Sequence, residues 1–138
     1  MNLVRRSAIG ALATTAIVLA GPAISAHASA PHFQTLATTV GGKVQACRVP
    51  TTAATVTIKM RVDARKASGR VSGLGSATHN GTRVGKEWDS GWVRRGHVSK
   101  VGTVKVPRGA AYALDAGIGT ANMGNGATFK PLAIRTCG

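Results

Sequence analysis

From Ala54 to Arg65 the chain alternates without a break. Ala54, Val56, Ile58, Met60, Val62 and Ala64 take one parity, and Thr55, Thr57, Lys59, Arg61, Asp63 and Arg65 take the other. On a helix these apolar residues would scatter around the axis; on a strand they all point the same way. The run therefore demands a strand with one face on a core and the other in water, as antiparallel sheets arrange it. Such a strand needs a second layer to cover its apolar face.

The rest of the chain supplies candidates for that layer. Lys43 to Val49 is a candidate first strand. A glycine-rich strand ends at His79, and Asn80-Gly81 then gives the strongest short hairpin signal, because a type I′ turn needs positive φ at both central residues. Thr82 to Trp88 is the return strand, with Gly73, Gly75 and Gly85 marking bulges or a close backbone approach. Asp89-Ser90-Gly91 reads as a turn or bulge, and His97 to Val106 as a further strand. Pro107 ends that run and Gly109 relaxes the turn. Tyr112 then opens an alternating stripe through Leu114, Ala116 and Ile118. Gly119 to Ala127 has no period and reads as a mobile loop, and Phe129 to Cys137 as a closing strand with Leu132 and Ile134 inward. No helix is expected in this part of the chain. The expected fold is an all-β, immunoglobulin-like Greek-key antiparallel β-sandwich of seven or eight short strands.

The first 28 residues read as a secretion signal peptide, with Arg5-Arg6 ahead of a short apolar run and an Ala-x-Ala frame ending at Ala28. Residues 29–42 show no sustained period and read as a flexible N-terminal arm, leaving 43–138 as a single sandwich domain. Cys47 and Cys137 suit an exported protein closed by one disulfide. The loop-entropy model gives so long a closure about 4 to 5 kcal/mol. Without its leader the chain keeps 16 basic residues against Asp63, Glu87, Asp89 and Asp115, a formal charge of +12. This charge suits association with wall polymers, nucleic acid or acidic polysaccharide outside the cell, and equally suits simple solubility. A secreted monomer, free or associated with the cell wall, is the expectation.

The spacing from Pro107 and Gly109 to Tyr112 resembles the tyrosine corner of immunoglobulin-like and fibronectin type III-like modules, which implies a phenol bonded to backbone just upstream. Leu114 stands where an immunoglobulin domain has its second cysteine, so no immunoglobulin disulfide or binding site is carried over. Across Gly42 to Pro50, Ser90-Gly91-Trp92-Val93, Val101-Gly102-Thr103-Val104 and Cys137, the chain resembles small exported one-disulfide β-domain proteins of high-GC Gram-positive bacteria. That resemblance implies no activity.

Three functional readings follow from the side chains. Lys86, Trp88, Trp92, Arg94 and Arg95 form an aromatic and basic cluster able to stack on a ring while holding an anion, and Lys59, Arg61 and Arg65, interrupted by Asp63, offer a phosphate-tracking row or an ordinary solvated face. In a small sandwich one tryptophan is expected to serve the core, and a bulge at Gly91 would split the pair. The second reading is a small secreted hydrolase such as a basic ribonuclease, with Glu87 and His97 as base and acid beside Arg94 or Arg95. The third is an inhibitor or toxin that contacts protein through Gly119 to Ala127. No catalytic set, cofactor or metal site is specified: the four acids are scattered, and His32, His79 and His97 lack ligand spacing.

Overall fold

The computed structural model describes residues 31–138; the signal peptide assigned to residues 1–28 lies outside them. Eight strands form two four-stranded antiparallel sheets. The first sheet has the order β1 (Gln34–Thr39), β2 (Gly42–Arg48), β3 (Thr55–Asp63), β6 (Gly102–Pro107). The second has the order β5 (Thr82–Val93), β4 (Val71–His79), β7 (Tyr112–Gly119), β8 (Gly124–Phe129). The chain crosses between sheets after β3, β5 and β6, which is the Greek-key pattern of an immunoglobulin-like sandwich.

The alternating run is β3, and its two parities separate as its pattern requires. Val56, Ile58, Met60 and Val62 are fully buried against the second sheet, while Lys59 and Arg61 lie on the outer face. Leu114, Ala116 and Ile118 of β7 and Val104 and Val106 of β6 complete the same core.

Trp88 is the largest side chain in that core, and three glycines make room for it. A Cβ on Gly102 would fall 2.1 Å from the indole Cδ1, and one on Gly73 or Gly75 would lie about 3.4 Å from the ring while colliding with Val62 or Met60. The glycines of β4 and the start of β6 are thus a bed for one indole, the close-approach use of glycine in a strand.

Several expectations need correction. The arm assigned to 29–42 contains a strand: Gln34–Thr39 pairs with β2, and Leu36 and Ala37 enter the core. A register shift between Thr35 and Ala37 hides its period. The turn that follows places Val40 at φ 42° and Gly41 at φ 81°, a conformation that a β-branched residue does not advertise. Within the segment read as a mobile loop, Gly124–Phe129 is the edge strand β8. Its side chains are almost all exposed, so no apolar period marks it. Phe129 to Cys137 is not a strand. Pro131–Ala133 forms a 3-10 turn with Leu132 exposed, Ile134 enters the core, and the tail then runs beside β2 through a parallel Arg48–Thr136 bridge. β6 begins only at Gly102, and His97 to Val101 is connection. β5 continues past Trp88 to Val93, taking up its extra residues as bulges that include Gly85 and Gly91, both at positive φ.

The connection from β6 to β7 does cross between the sheets at Pro107–Ala111. There the Tyr112 N–H donates to the Gly109 carbonyl at 3.1 Å, and the ring packs on His79 with centroids 4.7 Å apart. Among the described residues the phenol makes no hydrogen bond, so the corner is held by backbone and ring packing and not by the bond that defines a tyrosine corner.

Cys47 and Cys137 form the disulfide, with Cα atoms 4.9 Å apart and a sequence separation of 90. It fixes the tail where β1 leaves the edge of β2 uncovered. The Arg48 N–H donates to the Arg135 carbonyl at 2.8 Å, and the Cys137 N–H donates to the Arg48 carbonyl at 3.0 Å. No helix among the described residues is long and apolar enough to cross a membrane.

Candidate polyanion-binding surface

Antiparallel connectivity brings the β1–β2 turn, the β3–β4 connection, the β5–β6 connection and the β7–β8 turn to one end of the sandwich. Backbone hydrogen bonds stitch three of them together. The Ala64 N–H donates to His97 O at 2.8 Å, Gly96 N–H to Ala64 O at 3.0 Å, and Ser68 N–H to Val40 O at 2.9 Å. Ser99 adds two more, its N–H reaching Val62 O at 2.8 Å and its Oγ accepting from Val62 N–H at 2.8 Å. The Gly41 position tolerates no side chain, since a Cβ would lie 2.2 Å from Lys66 O. These loops are therefore a tied platform.

The platform carries Lys43, Arg65, Lys66, Arg70, Arg94, Arg95 and Lys100. Asp63 faces Lys43 across the β2–β3 ladder, but its carboxylate is held by Arg65 in a bidentate pair at 3.0 and 2.7 Å. Those hydrogen bonds, opposed by burial, bring the Asp63 carboxyl down to about 2. The pair neutralises itself and leaves the other cations of this end without an acidic partner among the described residues. Cations at the opposite end are used differently. Arg48 donates to Ile134 O, Arg108 to the carbonyls of Ala53 and Thr51, and Lys130 to Ala110 O, so they cap backbone carbonyls of the connections and the tail.

Trp92 gives the basic end its aromatic element. It is 50% exposed, and the Arg70 guanidinium lies 4.9 Å from its ring centroid, within cation–π range. An open depression of about 430 Å³ beside it is lined by Trp92, Arg94, His97, Val98 and Lys100. A second, of about 370 Å³, opens between Lys43, Gln45, Arg65 and Lys66.

The cluster read from the sequence is thus split three ways. Trp88 is buried and cannot stack on a ligand. Lys86 is exposed beside the Gly85 bulge, in the half of β5 nearer the Asn80-Gly81 turn. Trp92, Arg94 and Arg95 stay together at the basic end. Lys59 and Arg61 lie on the outer face of the first sheet, with Lys105 on the adjacent strand opposite Thr57. Arg61 is partly engaged, donating to Gln45 Oε1 at 2.9 Å and stacking on Phe33 at 4.1 Å. Sequence reading missed Lys43, Lys66, Arg70 and Lys100 as partners because they lie far from Trp92 in sequence or in other elements, at the start of β2 and in the β3–β4 and β5–β6 connections; only the strand directions bring them together. Glu87 and His97 line different grooves, and Glu87 is paired with Arg83 at 2.8 Å, so the acid–base pair drawn for a ribonuclease is not assembled. The described residues contain no group of three or more metal-ligating side chains.

Comparison with protein-family models, with curated proteins and with solved structures gave no match.

Proposed function

We propose that this is a secreted, non-enzymatic β-sandwich protein that associates with anionic extracellular polymers, such as wall polymers, nucleic acid or acidic polysaccharide. The observation that carries this reading is the basic end: cations from the start of β2 and from two connections tied by backbone hydrogen bonds, all but Arg65 left without an acidic partner among the described residues, beside an exposed tryptophan. The Lys59, Arg61 and Lys105 row extends the positive field along the first sheet. The disulfide suits an oxidising compartment. Clustered charge of this kind steers polyanions and binds them by releasing their counterions.

The test is a salt titration of binding to purified wall teichoic acid and to single-stranded RNA. Each phosphate neutralised contributes roughly −0.7 to the slope of log K against log salt on a flexible single strand. Replacing Lys66, Arg94 and Arg95 together by alanine should weaken binding and flatten that slope. Binding that ignores salt, or is absent at low ionic strength, would rule the reading out.

A further inference from the structure

The outer face of the second sheet carries a different chemistry. A trough of about 470 Å³ runs over β4 and β7, and a continuation of about 480 Å³ shares Leu74 and Gly117 with it. Its floor includes Ser76 and Thr78, only 7% and 3% exposed; among the described residues their hydroxyls have no protein partner, and because no enclosed side-chain polar atom there goes unpaired, the little that each exposes includes its hydroxyl, facing the trough. On one side stands the Glu87–Arg83 pair; on the other is Asp115, which accepts from Thr128 Oγ1 at 2.6 Å. Ser76 sits directly opposite Asp115 in the β4–β7 ladder. Two polar side chains more than nine-tenths buried, and open toward a groove without a protein partner, are what a hydroxyl-binding site looks like before its ligand arrives.

Gly117 is an independent sign. It lies inside a central strand, where glycine weakens pairing, and its φ does not require glycine. Nor does packing, since a Cβ there would meet nothing nearer than Asn125 O at 3.6 Å. Gly73, Gly75 and Gly102 are explained by the core; Gly117 is not. A bare backbone in the floor of a trough is explained by something that lies on it.

The chemistry of the occupant follows from three observations. β4 and β7 are central strands whose backbone groups are already paired, so an extended peptide laid across them could not join the ladder, and its own backbone groups would go unsatisfied. Three of the four acids, Glu87, Asp89 and Asp115, belong to strands of this sheet, which disfavours the polyanions suited to the basic end. Leu74, 43% exposed and shared by the trough and its continuation, offers apolar surface beside the polar groups. Hydroxyl-rich rings with one apolar face satisfy all three.

We propose that this trough binds a neutral oligosaccharide chain, its hydroxyls recognised by Ser76, Thr78, Asp115, Glu87 and Arg83 and its ring faces resting on the floor at Gly117 and against Leu74. This site is separate from the basic end and does not depend on that reading.

The experiment is amide chemical-shift mapping of the full mature protein against hexasaccharides of glucose, mannose and N-acetylglucosamine, at low and high salt. At least one should move the amides of Ser76, Thr78, Asp115 and Gly117, with an affinity that salt leaves unchanged. Gly117→Val, which fills the floor, and Thr78→Val, which keeps the shape and removes the hydroxyl, should each weaken that binding at least tenfold with a folded spectrum. Three results overturn the proposal: no shift from any hexasaccharide at millimolar concentration, shifts confined to the basic end, or full affinity retained in a folded Thr78→Val. Preferential binding of a lysine-rich peptide in the trough would overturn it as well.

Discussion

Replacing Gly102 by alanine tests the packing of Trp88 most directly. The new methyl would sit 2.1 Å from the indole Cδ1 and 2.2 Å from Nε1, far inside contact distance, so the ring or the start of β6 must move. Overpacking a well-filled core costs about 1–3 kcal/mol, and a rigid indole wedged on three glycines places this change toward the upper end. Gly75→Ala should cost less although its Cβ would come as near, 2.3 Å, because the obstacle is the flexible sulfur end of Met60. Gly69→Ala is the control: a Cβ there meets nothing within 4 Å and no positive φ is involved, so stability should hold or rise slightly. If the indole is the obstacle, trimming it should relieve the clash. Trp88→Phe alone should destabilise by leaving a cavity, and the Trp88→Phe/Gly102→Ala double variant should be more stable than the sum of the single effects by at least about 1 kcal/mol. Urea unfolding followed by far-ultraviolet circular dichroism, with the disulfide intact, measures all five. Additive effects, or a Gly102→Ala no worse than Gly69→Ala, would refute the slot.

Other predictions rest on single contacts. The folded Asp63 carboxyl titrates at about 2, below its ordinary value, so its contribution is complete above roughly pH 4 and is lost as pH falls through about 2. Arg65 is 63% exposed and the pair is screened, so Asp63→Asn should cost only about 1 kcal/mol at pH 7, and the difference from the parent should shrink toward zero as pH falls below about 2, by acid titration of the urea midpoint. Reducing the disulfide should remove about 4 to 5 kcal/mol, since its cysteines are 90 positions apart in sequence, and calorimetry with and without reductant would show a lower Tm in the reduced protein. Tyr112→Phe should leave Tm within about 2 °C of the parent, because the phenol has no partner to lose, whereas Tyr112→Ala should lower it clearly through lost contact with His79 and the core.

What the sequence disclosed and what it hid have a common cause. Period two is visible only where one face of a strand is apolar and the other polar, as in β3, and there residue order alone separates inside from outside. β8 lacks a buried face and β1 carries a bulge, so both fall below that signal although backbone pairing secures them. The same limit governs the two surfaces. Trp92, Arg94 and Arg95 were legible because they are neighbours in sequence, but Lys43, Lys66 and Arg70 lie in other elements that only the folded topology aligns. In the second sheet, Ser76 and Asp115 are 39 positions apart and meet because β4 pairs with β7. A sandwich of this kind has two independent places to put function: its loop end, set by strand direction, and its sheet face, set by register. Here charge separates them, with unpaired cations at the loop end and carboxylates with open hydroxyls on the face. If both are used, neutral and anionic portions of one surface polymer could be held at once, and the linked contacts would raise avidity only if the polymer spans from β4 to the platform. Blocking the trough through Gly117→Val should then weaken binding to a mixed polymer while leaving its salt slope intact, and removing Lys66, Arg94 and Arg95 should flatten the slope while leaving hexasaccharide binding alone. Loss of both activities in either folded variant would show that the two surfaces are one site.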